Sequence, residues 1–282
     1  MTAWTGIVLA LAPAGSDEMA SRLMTCLHPV AGRPLIWHTV SSLAAVQPAP
    51  DRIYVVTSDD VPGDLFHGFP MEIEVIAVTT GELAQMDQRL ESLGSSHVLV
   101  VDASAPVPTE CLQRLVEDGA GRWLVAEDGN AAAACLEFSQ LSQLFRLPDP
   151  LYPPNGVLSA SMDIQDVPLV QRVQNRAQLA RVVQRVRDRN VEALMRAGVT
   201  FLLPETVIID MDVRIGRDSV VYPGVVLEGQ TTIGEETVIG PGCRIIDSWV
   251  GSGVELKGWN YISHSSIRNR AILEPYVRRG FD

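Results

Sequence analysis

The loop that follows the first apolar run carries acidic side chains where a phosphate would need basic ones. A continuous apolar run at residues 6–12 leads into the loop Leu11-Ala12-Pro13-Ala14-Gly15-Ser16-Asp17-Glu18-Met19. In an open α/β sheet, the loop after the first strand lies at the carboxyl ends of the strands, where nucleotides bind. Nucleotidyl transfer in such a place builds negative charge on an α-phosphate and a leaving pyrophosphate, which Arg, Lys and Mg²⁺ normally offset. This loop offers Asp17 and Glu18 instead, and the only lysine, Lys257, lies far away in a different kind of sequence. Another carboxylate, Asp102, follows the apolar run His97–Val101 and reads by itself as an exposed strand-end group with local hydrogen bonds. Cys26, Cys111, Cys135 and Cys243 are scattered without a C-x-x-C pair, as expected of buried, reduced thiols. The histidines show neither triad nor zinc spacing; His28 sits in a turn and His264 on a repeat surface.

The elements that must position these groups are legible from periodicity. Residues 6–12, Arg52–Thr57, Glu74–Val78 and His97–Val101 are apolar runs of the kind found in strands buried on both faces. Helical patterns at Leu35–Val46, Gly81–Leu93 and Thr109–Glu117 alternate with them, giving an α/β layered domain over residues 1–174. Gly129-Asn130 and the four alanines that follow read as a loop, as does the Pro-rich stretch Pro148–Gly156. A linking helix over 175–198 carries the stripe Leu179, Val182, Val183, Val186, Val191, Leu194 and Met195, a solvated arginine face, and Gly198 as its stop. From 199 to 282 the period becomes six: Ile215, Val221, Leu227, Ile233, Ile239 and Ile245 recur, and the phase slips before Val250, Leu256 and Ile262 and again before Ile267 and Leu273. That period fits a hexapeptide β-helix with each aliphatic pointing inward. Three to four coils make a short core, so stacking of copies as a trimer is expected to cover its faces. The formal charge, 22 − 34 = −12, offers no basic stripe to a nucleic acid, and no segment is long enough to span a bilayer. A soluble, cytoplasmic protein is expected.

The octapeptide Leu27-His28-Pro29-Val30-Ala31-Gly32-Arg33-Pro34 then acquires meaning. It resembles the L-H-x-V-A-G-[RK]-P segment of the bifunctional N-acetylglucosamine-1-phosphate uridylyltransferase/glucosamine-1-phosphate acetyltransferase (GlmU) family. Val173–Leu179 is similar to that family's G-V-N-x-R-x-Q-L, and Ala197–Phe201, Ile208–Gly216, Val226–Gly229 and Ile239–Cys243 are close to its coil sequences. The resemblance covers nearly the whole chain. It implies a Rossmann-like (GT-A-like) nucleotidyltransferase domain followed by a left-handed parallel β-helix. It also implies a nucleotide contact at Leu11, Ala12, Gly15, Thr80 and Gly81, and a Mg²⁺ site at Asp102 and Gln174. UTP or a nucleotide sugar is the implied partner.

The departures from the pattern carry as much information. Glu18 stands where the family's loop has an Arg, and Thr25 where it has a phosphate-binding Lys. Pro13 removes an N–H donor from the loop. Gln174 replaces an Asn metal ligand, and a gapless alignment would place Ala103, not Asp102, at the other ligand position. The region between Gly121 and Val173 is shorter than the family's, so its sugar-contacting residues have no clear counterpart. Arg278 would match one acetyltransferase position, but the companion residues come from coils this sequence does not have, so acetyl transfer is not expected. The reading that results is an impaired homologue serving as a binding, regulatory or assembly subunit. Its alternative is an active Mg²⁺-dependent nucleotidyltransferase making an NDP-sugar from a sugar 1-phosphate, with Arg22 or Arg33 replacing the lost cations.

Overall fold

A computed structural model describes residues 4–11, 19–79, 82, 97–127, 129, 131–146, 160–161 and 170–280. The chain forms two compact units, Met1–His28 with Pro34–Val182, and Pro29–Arg33 with Val183–Asp282.

The first unit is built on a sheet. Trp4–Ala10 (β1) is buried at every position, and its side chains divide between two apolar clusters, Trp4, Val8 and Ala10 in one and Ile7 and Leu9 in the other. A strand covered on both faces has no polar side, which is why it reads as an unbroken apolar run. Next along the chain is a short hairpin, Pro29–Val30 (β2) against Arg33–Pro34 (β3), which up to Arg33 belongs to the second unit. The sheet continues with Ile53–Thr57 (β4), Ile73–Ala77 (β5) and His97–Asp102 (β6), and then Arg122–Val125 (β7), Ala131–Glu137 (β8) and Ala160–Ser161 (β9). Their order is β5-β4-β1-β6-β8-β7-β9, with β5, β4, β1 and β6 parallel and β8 antiparallel to both β6 and β7. Leu9 pairs with Asp102 and Ala10 with Thr57, so the carboxyl ends of β1, β4 and β6 come together.

Three helices complete what is described of this unit's early half. Leu35–Ala44 (α1) starts at Pro34, and its Leu43 packs so closely on β1 that a Cβ on Gly6 would lie 2.7 Å from Leu43 Cδ2. Thr109–Asp118 (α2) ends at Gly119, whose φ of +85° no helix accommodates. Phe138–Phe145 (α3) starts on a capping box in which Glu137 and Gln140 exchange hydrogen bonds. The alanine run read as a loop is instead the start of β8, in which Ala133 and Ala134 pair with β6 on one side and β7 on the other. Alanine has little intrinsic strand preference, so only pairing on both sides makes this segment a strand. The expected helix over Gly81–Leu93 and the loop over Pro148–Gly156 lie outside the described residues apart from Glu82.

Arg176–Arg196 (α4) buries Val182, Val186 and Val191, and Gly198, at φ +98°, terminates it. Met195, placed on the apolar stripe, is exposed. Beyond it the second unit is a β-helix: short parallel strands stack into three sheets of five, five and four. The expected inward residues from Ile215 to Ile267 line a single apolar core, with Leu273 half-buried at its edge. The count exceeds three to four coils because Phe201 and Ile209 start an earlier one, off the six-residue spacing that Pro204–Thr206 interrupts with a 3-10 turn. Both phase slips fall at the same corner, where Asp247 (φ +43°) and His264 (φ +45°) turn the chain in one residue fewer while strand register is kept.

Candidate functional site

Asp102 ends β6 at the meeting point of the parallel strands, and its surroundings overturn the expectation of an exposed strand-end carboxylate. It is buried, and its carboxylate meets the donors of Ser104 and the guanidinium of Arg172. Oδ1 accepts the backbone N–H and the Oγ–H of Ser104, each at 2.8 Å. Oδ2 lies 2.5 Å from Nε of Arg172, an ion pair whose side chains are 3% and 6% exposed, close in distance though not aligned as a linear hydrogen bond. Burial pushes the Asp102 carboxyl above the usual carboxylate range, while first Arg172 and then the Ser104 donors pull it back. A guanidinium does not deprotonate, so burying Arg172 requires the carboxylate beside it to be charged. The arginine is held in place by its backbone: Val173 N–H donates to Ser104 O at 3.0 Å, and Glu127 N–H donates to Val170 O at 2.9 Å. Ala103, the other candidate for the ligand position, points into the apolar cluster.

Arg172 was not among the residues singled out in the sequence. The signal was available, because Arg172 falls on the glycine of the G-V-N-x-R-x-Q-L pattern when Val173–Leu179 is laid on the remainder. Gln174 follows it and is half-buried. The rest of that segment is a helix start: Gln178 Oε1 accepts the N–H groups of Gln174 and Asn175 at 2.7 and 3.2 Å, and Asn175 Oδ1 accepts the N–H of Gln178 at 3.0 Å. This reciprocal pattern is a capping box, so Asn175 and Gln178 have a structural task at the start of α4.

Of the expected nucleotide contacts, Leu11 is half-buried at the end of β1, whereas Ala12, Gly15, Thr80 and Gly81 lie outside the described residues, as does Glu18. Thr79, next to two of them, donates its N–H and Oγ–H to the Glu82 carboxylate at 2.8 and 2.9 Å. Thr25 opens a 3-10 turn, Thr25–Leu27, and is half-buried. Its neighbour Cys26 is buried and its thiol is pushed up to about 12, by burial first and then by the negative field of Asp102. None of the four cysteines is in a disulfide, and all are buried.

The octapeptide has a different fate from the site upstream of it. Ala31 and Gly32 both take positive φ, 46° and 76°, the two central positions of a tight hairpin turn. Within the second unit this turn meets residues 210–212. Met211 N–H donates to Ala31 O at 3.0 Å, a Cβ on Gly32 would lie 2.5 Å from Asp210 Cγ, and Arg33 pairs with Asp212 at 2.6 Å. Arg33, the candidate replacement cation, is thus paired with Asp212, both side chains about a third exposed. Among the described residues no group of three or more His, Cys, Asp or Glu side chains is arranged to hold a metal ion, and no helix is long and apolar enough to cross a membrane.

Comparison with known proteins bears on this arrangement. Residues 212–247 match the bacterial transferase hexapeptide (six repeats) family. The bifunctional protein GlmU of Carboxydothermus hydrogenoformans is 44% identical over 133 residues, 46% of this chain and 30% of that protein. GlmU of Mycobacterium bovis is 29% identical over 344 aligned positions, covering 97% of this chain and 68% of that protein. A nucleotidyl transfer enzyme of known structure from Methanothermobacter superposes with a TM-score of 0.48 at 16% identity, covering 67% of this chain and 99% of that one. The first match thus spans under a third of its relative's length.

Proposed function

We propose that this chain, which is GlmU-like in sequence along nearly its whole length and joins an α/β nucleotidyltransferase-type unit to a hexapeptide β-helix, is a catalytically impaired homologue of a UDP-N-acetylglucosamine pyrophosphorylase that works as a binding, regulatory or assembly subunit. The observation that carries this reading is the closed state of Asp102, whose Oδ1 accepts from Ser104 and whose Oδ2 is ion-paired with the buried Arg172. A carboxylate in that position is of use to phosphoryl chemistry only if it can hold a cation facing the substrate. The missing cations point the same way. Glu18 and Thr25 stand where the resemblance calls for Arg and Lys, and Arg33 is paired with Asp212. Each contact of this kind that is lost from the transition state costs about 3 kcal/mol, or about a hundredfold in rate. The exposed aliphatic and aromatic side chains of the β-helix, Ile208, Trp249 and Ile272 among them, support its association with further copies as a trimer.

Pyrophosphate release from UTP and N-acetylglucosamine 1-phosphate in the presence of Mg²⁺ tests the reading. No release above background is expected. Turnover at an ordinary enzyme rate, abolished by Asp102→Ala, would sink it. Calorimetry with UDP-N-acetylglucosamine then separates a binding subunit, which gives a saturable heat, from an assembly subunit, which gives none.

A further inference from the structure

The environment of Asp102 answers a question that the resemblance raises, namely whether a divalent cation fits. Mg²⁺ requires about six oxygens in near-ideal octahedral array at about 2.0–2.1 Å and usually keeps several waters. At Asp102 the Oδ1 accepts from the N–H and hydroxyl of Ser104, and the Oδ2 lies against the cationic Arg172 guanidinium, which repels a metal ion. The carboxyl is nearly sealed from solvent, so there is no place for a hydration shell. The residues present do not fit the metal, and no step can be routed through one. What they do fit is a fixed monovalent cation. Arg172 enters on a segment pinned on either side of it, by Val170 to Glu127 and by Val173 to Ser104. The backbone that carries Arg172 is thus fixed on both sides, and its side chain reaches Oδ2 of Asp102.

We propose that Arg172 is a built-in counter-cation that has taken the seat of the metal, so that this unit folds and binds its ligands without a divalent ion, and that removing the guanidinium re-creates a metal site on Asp102. The proposal rests on the GlmU-like reading for where a metal would be expected, and on the geometry alone for what occupies that place.

The experiment uses the full chain and Mn²⁺ as the probe, read by the amplitude of the free-ion electron paramagnetic resonance signal. Wild-type protein leaves that signal unchanged. Arg172→Gly takes up one equivalent, and adding Asp102→Asn weakens the uptake about tenfold or more. Thermal melts provide a second readout. Millimolar Mn²⁺ raises the melting temperature of Arg172→Gly by several degrees, and it leaves the wild type and the Asp102→Asn/Arg172→Gly pair where they were. One Mn²⁺ bound by the wild type and lost in Asp102→Asn would overturn the proposal. So would an Arg172→Gly protein that takes up no Mn²⁺, or that stays unfolded in its presence. Turnover of UTP without any Asp102-dependent metal would overturn the impaired-enzyme reading and leave this one standing.

Discussion

Two arginine–aspartate pairs sit beside the two segments that resemble a nucleotidyltransferase, and they differ mainly in their access to water. Arg33 meets Asp212 at 2.6 Å with side chains 31% and 33% exposed, next to the hairpin turn of the octapeptide. Arg172 meets Asp102 at 2.5 Å with side chains almost wholly enclosed. At the first pair solvent screens the charges and competes for both partners, so the pair is worth at most about 1 kcal/mol. At the second, each charge depends on the other, because neither can be solvated if its partner is removed. The same two residue types therefore make an optional surface bridge in one place and an obligatory core pair in the other. A motif arginine conveys little until its burial is known.

This contrast can be broken or sharpened by substitution. Asp102→Ala strands the buried guanidinium and should cost about 3–5 kcal/mol of unfolding free energy in a urea titration, whereas Asp102→Leu with Arg172→Met should recover most of that loss. If the single change is nearly neutral, the pair is not obligatory. Next in size is an alkaline effect at Cys26, beside the same carboxylate. Its thiol is raised in the folded protein from 9.0 to about 12, so below pH 9 the proton is bound in both states and stability is intact. As pH rises from 9 towards 12 the unfolded chain ionises first and stability falls, by up to about 4 kcal/mol for this one group. Cys26→Ala should flatten that decline relative to the wild type, and an unchanged slope would show that the thiol is not shielded.

Smaller effects belong to the octapeptide. Gly32→Ala places a Cβ against Asp210 at a positive φ and should cost about 1–3 kcal/mol by thermal melting, a measure of how tightly the hairpin turn is held. Arg33→Ala should cost less than about 1 kcal/mol, with a coupling to Asp212→Ala that shrinks in high salt. A larger loss at Arg33 than at Arg172 would reverse the comparison outright.

Much of the architecture was legible in the order of residues. The six-residue recurrence from Ile215 to Ile245 admitted one fold, because neither a helix nor a flat hairpin sheet buries a residue at that period, and even its slips survived as one tight corner. β1, β4 and β6 were legible because burial on both faces leaves no polar position to break the run. The strand Ala131–Glu137 was not, since four alanines carry no strand preference and the segment is made a strand by its neighbours on either side. α3 was too short to show a period, although Glu137 and Gln140 mark its start.

At the candidate site the division is sharper. Sequence alone placed Glu18 and Thr25 just upstream of the octapeptide and Asp102 at the end of a strand-like run, which are statements about residue identity and local period; that the first two stand where cations are called for is what the resemblance to GlmU implies. Only the tertiary structure decided that Asp102 faces Arg172, seventy positions away by number (172 − 102), and that Ala31–Arg33 turns against residues 210–212. The physical reason is that the energy of a charge depends on what surrounds it, and those surroundings are assembled from segments that local pattern cannot bring together.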